Sequence, residues 1–213
     1  MQLGTTLPEK RRYKLLREML LALDLLHRNG MVHLDIKPEN IFIRNDQYKL
    51  GDFGLVHKTT TCDVEEGDSR YMSLELLSHG PIPDLTKCDI FSLGVTLYET
   101  SLPPPTTLPS SGPQWHNLRH GHLDPLTHTS PDLTRLISQM MQPPHQKRPP
   151  AKTLLQERML LSEEQKQLIL ERNKALEANR ALEMQQKMLR GTLPVRSKLV
   201  RRSTWDVGMN KFA

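Results

Sequence analysis

One stretch decides the fold of this 213-residue chain: His33-Leu34-Asp35-Ile36-Lys37-Pro38-Glu39-Asn40. A segment with apolar residues at helical spacing precedes it, and Met31-Val32 is typical of a short strand that leads into it. A hairpin is predicted around Asn45-Asp46, and Asp52-Phe53-Gly54 follows the hairpin. Asp-Phe-Gly alone occurs by chance, but the ordered combination of helix, loop, hairpin and Asp-Phe-Gly is specific.

The residue types in the loop suit phosphoryl transfer, in which a protein mainly positions the reactants and neutralises charge. Asp35 is the predicted acceptor of the proton from a substrate hydroxyl. Lys37, two residues further on, would reach the transferring phosphate and neutralise charge on its oxygens. We expect His33 to hold the loop by hydrogen bonding rather than to titrate in the reaction.

Two further residues are the predicted ligands of a magnesium ion. Asn40 offers a neutral oxygen and Asp52 a charged one, and oxygen atoms are the ligands that Mg²⁺ prefers. Phe53 is expected to be a packing anchor, and Gly54 gives the backbone the freedom to turn.

Over about residues 8–160 the chain resembles the C-terminal lobe of a eukaryotic protein kinase. This resemblance implies that the protein uses ATP and Mg²⁺, with Asn40, Asp52, Phe53 and Gly54 at the cofactor site. The lysine at position 37 is the residue type that Ser/Thr kinases carry there, although tyrosine or dual specificity stays open.

The resemblance also assigns structural roles to three charged residues. Glu75, in Ser73-Leu74-Glu75, stands where kinases end the activation segment with Ala-Pro-Glu. Arg148 stands where the usual ion-pair partner of that glutamate lies. Asp89 stands where a carboxylate steadies the backbone of the catalytic loop.

A finer resemblance lies outside the catalytic loop and is to the Wee/Myt family of mitotic-inhibitor kinases. Three segments carry it: Glu65-Glu66-Gly67-Asp68-Ser69-Arg70-Tyr71, Asp89-Ile90-Phe91-Ser92-Leu93-Gly94 and Gln114-Trp115-His116-Asn117-Leu118-Arg119-His120-Gly121. This resemblance implies a cyclin-dependent kinase as substrate and control of entry into mitosis. Asp-Phe-Gly-Leu and Arg-Tyr-Met favour the Myt branch. A long C-terminal helix, a basic tail and no membrane segment favour the Wee branch, which we prefer.

Leu34 is a departure from the usual kinase loop, which has arginine before the catalytic aspartate. In kinases with that arginine, a phosphate on the activation loop neutralises a positive cluster and orders the loop. Leucine removes that need. We therefore predict that activity does not depend on phosphorylation at Thr59, Thr60 or Thr61.

A larger departure concerns the nucleotide-binding lobe. The chain starts only about thirty residues before the catalytic loop, and it contains no G-x-G-x-x-G loop and no V-A-I-K strand. The N-terminal lobe is therefore expected to be absent. We expect this chain to be a fragment that is inactive on its own.

Composition limits the other classes of function. The two cysteines, Cys62 and Cys88, form neither a disulfide framework nor a metal-ligand pattern. No apolar run is long enough for a membrane span. The segment from Gln186 to Ala213 contains seven of the 29 Lys and Arg residues and only one of the 24 acidic residues. The rest of the chain is therefore nearly neutral. This distribution argues against nucleic-acid binding, and we expect a protein of the nucleus or cytoplasm.

The predicted fold is mainly α: a kinase-like lobe with a small β-hairpin, followed by a long helix and a tail. The predicted domains are residues 1–161 for the lobe, 162–190 for an amphipathic helix and 191–213 for a basic disordered tail. Ser203 and Thr204 in the tail follow two arginines. They are candidate phosphorylation sites that would recruit a phospho-motif adaptor protein.

Two other functions remain open from the sequence. The lobe could be a non-catalytic module that docks a substrate or another partner. It could also belong to an unrelated Ser/Thr kinase, because Lys37-Pro38-Glu39-Asn40 is common to many of them.

Overall fold

The computed structural model describes residues 7–61, 67–77, 84–104 and 107–191, with the backbone alone for residues 189–191. The chain divides into two compact units, Met1–Ser162 and Glu163–Ala213. The described part is mostly helical with two small sheets, which confirms the mainly α prediction. The predicted tail lies outside the described residues from position 192 onward, and Ser203 and Thr204 lie there too.

Helix α1 (Glu9–Arg28) forms the segment before the catalytic loop. One face is apolar and buried, and the residues on it recur at helical spacing: Leu15, Leu16, Met19, Leu20 and Leu23. A glutamate in the first turn and two basic residues in the last turn suit the helix dipole. The helix ends at Asn29, and Gly30 follows with a φ of 70°.

Two antiparallel strand pairs surround the loop. Strand β1 (Met31–Val32) pairs with β4 (His57–Lys58), and β2 (Ile41–Arg44) pairs with β3 (Gln47–Leu50). Asn45 and Asp46 form the two-residue turn of the hairpin with φ values of 50° and 61°. Residues of these types tolerate positive φ, as a type I′ turn requires.

Five more helices complete the first unit within the described ranges: α2 (Leu74–Leu77), α3 (Thr86–Glu99), α4 (Gly112–Arg119), α5 (Pro131–Met140) and α6 (Ala151–Leu154). Helix α3 is buried on nearly every side, as the apolar residues almost all round Asp89–Tyr98 predict, and it contacts α1 and α5. Gly94 allows this close packing, because a Cβ there would lie 2.8 Å from the Met141 side chain. Ser130 caps α5, since its Oγ accepts a hydrogen bond from the Leu133 N–H.

The second unit contains the predicted long C-terminal helix, α7 (Glu163–Gly191), which is 29 residues long. Side-chain hydrogen bonds at helical spacing join Lys166 to Glu163 and Gln167 to Glu171. Across the described part of the chain, each helix is too short or too polar to span a bilayer.

Candidate active site

The catalytic loop begins where β1 ends, and a buried carboxylate from α3 holds its backbone. Asp89 accepts hydrogen bonds from the backbone N–H groups of His33 at 2.9 Å and Leu34 at 2.8 Å. His27 at the end of α1 places Nε2 2.8 Å from the same carboxylate. Asp89 is fully buried, so these three contacts replace the water that its charge would otherwise require.

Leu34 adopts a left-handed backbone conformation with a φ of 62°. This conformation is strained for a leucine and is maintained only where the surroundings impose it. The hydrogen bond from its N–H to Asp89 and the burial of its side chain provide that constraint. The residue that follows this unusual turn of the backbone is Asp35, the predicted acceptor of the substrate proton.

Two predicted site residues, Lys37 and Asn40, contact the carboxylate of a third, Asp35. Lys37 Nζ lies 2.8 Å from Asp35 Oδ2. The Asn40 side-chain amide donates to the Asp35 backbone carbonyl at 2.8 Å and to Oδ2 at 2.7 Å. Both side chains therefore engage the same oxygen of Asp35, which leaves Oδ1 as the less occupied one.

The residues predicted to bind magnesium fit that task in their donor atoms. Because the Asn40 amide nitrogen donates to Asp35, its Oδ1 is oriented away from that carboxylate. The Gly51 N–H bonds to the Asn40 carbonyl at 2.9 Å, which brings the two ends of the hairpin together next to Asp52. One carboxylate and one amide oxygen, completed by water and phosphate oxygens, form a typical Mg²⁺ set. Asp52 has a φ of 56°, and its Oδ1 accepts from the Gly54 N–H at 3.3 Å.

Phe53 is only partly the packing anchor that the sequence predicts. Its ring contacts the edge of His33 at a centroid distance of 5.4 Å, yet 57% of Phe53 is exposed. It lines a cavity of about 480 Å³ together with Leu21 and Leu25 of α1 and Leu50 of the hairpin. His33 itself is buried, and its Nε2 lies 3.1 Å from the Gly51 carbonyl.

Glu75 and Arg148 form an ion pair, although 73 residues separate them in the chain. Arg148 is 1% exposed. It also donates to three backbone carbonyls, those of Lys87, Gln142 and Pro143. Burial raises the pKa of the Glu75 carboxyl, but hydrogen bonding and the charge of Arg148 outweigh burial, so the pKa lies below its ordinary value.

Gly67 and Asp68 are contacts of the catalytic loop that the sequence did not assign. A Cβ on Gly67 would lie 2.8 Å from the Leu34 carbonyl and 3.2 Å from Asp35 Oδ1, so only glycine fits without movement. The Asp68 N–H points to Asp35 Oδ1 at 3.4 Å. The one available sign was that both residues belong to the segment that resembles the Wee/Myt family.

A charged network continues from Asp68 along this segment. Arg70 contacts the Asp68 carboxylate at 2.6 Å and Glu39 at 3.2 Å. Burial raises the pKa of Asp68, but its hydrogen bonds with Arg70 outweigh burial, and its pKa is lowered overall. The hydrogen bond with Asp68 raises the pKa of Arg70. Tyr71 donates to Glu99 at 2.6 Å, which ties the end of the segment to α3.

Similarity to known proteins covers most of the chain. The sequence model of the protein kinase domain matches residues 2–160. A Wee1-like protein kinase of Oryza sativa subsp. japonica is 44% identical over 145 residues, covering 67% of this chain and 27% of the relative. A Wee1-like protein kinase of Drosophila melanogaster is 37% identical over 173 residues, covering 65% of this chain and 28% of the relative.

A third relative has a different name. The membrane-associated tyrosine- and threonine-specific cdc2-inhibitory kinase wee-1.3 of Caenorhabditis elegans is 39% identical over 156 residues. The match covers 70% of this chain and 22% of the relative. The chain thus spans between about a fifth and just over a quarter of the length of these three relatives.

Proposed function

The chain belongs to the protein kinase family, and we propose that it forms the acceptor-side half of the active site of a Wee-like kinase. In this proposal the reaction transfers the γ-phosphate of ATP to a hydroxyl of a cyclin-dependent kinase. The observation that carries the proposal is the convergence of Lys37 and Asn40 on Asp35, with the loop backbone held by Asp89.

The chemistry follows from the contacts of Asp35. Its Oδ2 is engaged by Lys37 and Asn40, whereas Oδ1 accepts only the long 3.4 Å contact from the Asp68 N–H, so Oδ1 is the oxygen that an acceptor hydroxyl would bind. Asp35 orients that hydroxyl and takes up its proton as the new oxygen–phosphorus bond forms, while the bond between the γ-phosphorus and the bridging oxygen breaks and ADP leaves. Lys37 contributes positive charge where the phosphoryl oxygens lie. Bound Mg²⁺–ATP supplies the transferable group, with Asn40 and Asp52 as the residues that would hold the metal.

The substrate class rests on the relatives and on two segments of the chain. Two of the relatives are Wee1-like kinases, and one is named as a cdc2-inhibitory kinase. In the segment 65–71, which resembles this family, the Asp68 N–H points to Asp35. Trp115, in the similar segment 114–121, contacts Ser69 of the same stretch. We favour the Wee branch because a long helix follows the lobe, and we leave the choice between tyrosine and threonine open.

We also propose that the 213-residue polypeptide alone lacks measurable kinase activity. Its sequence contains neither a G-x-G-x-x-G loop to cover the nucleotide phosphates nor a V-A-I-K lysine to pair with them. Titration calorimetry with Mg²⁺–ATP tests this directly. We expect no saturable heat at micromolar nucleotide, and micromolar affinity would contradict this part of the proposal.

A chimera tests the substrate class. The N-terminal lobe of a Wee1-like relative is joined to residues 2–160 of this chain and incubated with Mg²⁺–ATP and a cyclin-dependent kinase. We expect phosphate in the glycine-rich loop of the cyclin-dependent kinase, located by mass spectrometry. Modification of a general Ser/Thr substrate but not of that loop would indicate an unrelated kinase. Binding of the cyclin-dependent kinase without phosphate transfer would indicate a docking module.

A further inference from the structure

Helix α4 holds the backbone of the segment 67–71, which approaches the catalytic carboxylate. The indole N–H of Trp115 donates to the Ser69 carbonyl at 2.8 Å. The Arg119 guanidinium donates to the same carbonyl at 2.6 Å and to the Arg70 carbonyl at 3.0 Å. Two side chains, one turn apart on α4, therefore converge on two adjacent carbonyls.

The burial of Arg119 is costly, which indicates a specific role. Arg119 is 1% exposed, and its Nε atom has no hydrogen-bond partner among the residues that the structure describes. No carboxylate in the described ranges forms an ion pair with it, and burial lowers the pKa of its guanidinium to about 10. The compensation comes from backbone carbonyls and from Trp115, whose ring centroid lies 3.6 Å from the guanidinium carbon. Because these carbonyls are the hydrogen-bond acceptors of a buried charge, Arg119 holds them in place.

The carbonyls in question belong to the part of the chain that reaches Asp35. Gly67 fits against the Leu34 carbonyl and Asp35 without room for a Cβ, and the Asp68 N–H points to Asp35. Ser69 follows immediately, so any shift of Ser69 moves these contacts. Leucine, and not arginine, precedes Asp35. In other kinases an arginine at that position binds an activating phosphate.

We propose that Trp115 and Arg119 are positioning residues that order the segment 67–71 against Asp35 without a phosphate. In this chain the side chains of Trp115 and Arg119 order the segment, as the phosphate-binding arginine does in other kinases. The inference deepens the proposed kinase function and rests on it. Arg119 acts only through the Ser69 and Arg70 carbonyls, and it does not touch the reacting atoms.

Hydrogen–deuterium exchange on the unphosphorylated 213-residue chain tests the inference, because it requires neither ATP nor activity. Three variants are compared with the wild type: Arg119→Lys, Trp115→Phe and the control Arg135→Lys. Lysine keeps the charge of Arg119 but loses the two-pronged contact, and phenylalanine keeps the stacked ring but loses the indole N–H. Arg135 pairs with Glu157 on the surface of α5 and contacts nothing in the segment.

We expect amides of residues 67–71 to exchange roughly ten to a hundred times faster in Arg119→Lys, as loss of hydrogen bonds to a charged group implies. Trp115→Phe should give a smaller increase in the same residues, and Arg135→Lys none. Amides of α3 and α5 should keep their wild-type rates.

Two results would overturn the inference. One is wild-type exchange in residues 67–71 in both α4 variants. The other is faster exchange throughout α3 and α5 as well, which would mark Arg119 as a general packing residue. If Arg119→Lys does not fold, Trp115→Phe decides between these outcomes. A chimera that fails to phosphorylate a cyclin-dependent kinase would refute the proposed function but leave this exchange result unchanged.

Discussion

Replacing Asp89 by asparagine tests whether the buried carboxylate holds the catalytic loop. In the wild type, one carboxylate oxygen accepts from the Leu34 N–H and the other accepts from the His33 N–H beside His27. Asparagine has the same shape but only one accepting oxygen. Its NH₂ group must then face a donor, whichever way the amide turns.

The size of the effect follows from those contacts. At least one hydrogen bond to a charged acceptor is lost, worth about 1.5–3 kcal/mol, and a buried N–H is left without a partner. Together we expect about 3 kcal/mol lower free energy of unfolding. For a unit of this length, that corresponds to a fall in Tm of roughly 6–12 °C. If the amide turns its NH₂ group toward the Leu34 N–H, the Leu34 backbone also loses one of the contacts that hold its left-handed conformation.

Thermal unfolding followed by circular dichroism measures the change in Asp89→Asn. The control is Asp46→Asn in the exposed hairpin turn, where asparagine tolerates the positive φ of 61°. Its ion pairs with Arg11 and Lys14 are exposed and contribute little, so the Tm should fall much less than in Asp89→Asn. An Asp89→Asn protein with the Tm of the wild type would refute the account of how the loop is held.

Two further predictions concern the Glu75–Arg148 ion pair and Gly67, which packs against the catalytic loop. Because the pKa of Glu75 is lowered in the folded protein, its stabilising effect is present above its ordinary value of 4.5 and is lost as the pH falls through the lowered value. Glu75→Gln should therefore lower the free energy of unfolding at neutral pH, because Arg148 is left buried without its charged partner. It should also reduce the fall in Tm as the pH is lowered below about 4.5. The same fall in Tm as in the wild type would contradict the pairing. Gly67→Ala places a methyl group 2.8 Å from the Leu34 carbonyl and 3.2 Å from Asp35 Oδ1. We therefore expect the rate of phosphate transfer by the chimera to fall at least about tenfold, while its circular dichroism spectrum is unchanged. Wild-type transfer would show that the segment can move aside without consequence.

Local sequence patterns predicted much of the fold because they depend on near neighbours. Asn45-Asp46 between two short apolar runs gave the hairpin, and both residues have the positive φ that such a turn needs. Apolar residues almost all round α3 predicted a buried helix. Serine followed by proline is a typical helix start, and α5 begins there, with the Ser130 side chain as its cap.

The contacts that shape the candidate site were harder to predict, because they join distant parts of the chain. Trp115 belongs to a segment that resembles the Wee/Myt family, yet its contact with Ser69 joins residues 46 positions apart and leaves no local pattern. The left-handed conformation of Leu34 was not readable either, since leucine gives no preference for it. Phe53 was expected to be packed, but packing depends on which surfaces surround the ring, and it is more than half exposed.

The central claim, that Asp35 is the acceptor-side base of a phosphoryl transfer, is tested most directly by single-turnover kinetics of Asp35→Asn in the chimera. The reaction mixes the enzyme with Mg²⁺–ATP and a cyclin-dependent kinase, and binding of both substrates is measured separately. We expect the transfer rate to fall by about 10²–10⁴-fold, as for loss of a general base, with both affinities within about twofold of the wild type. A transfer rate equal to that of the wild type would contradict the claim.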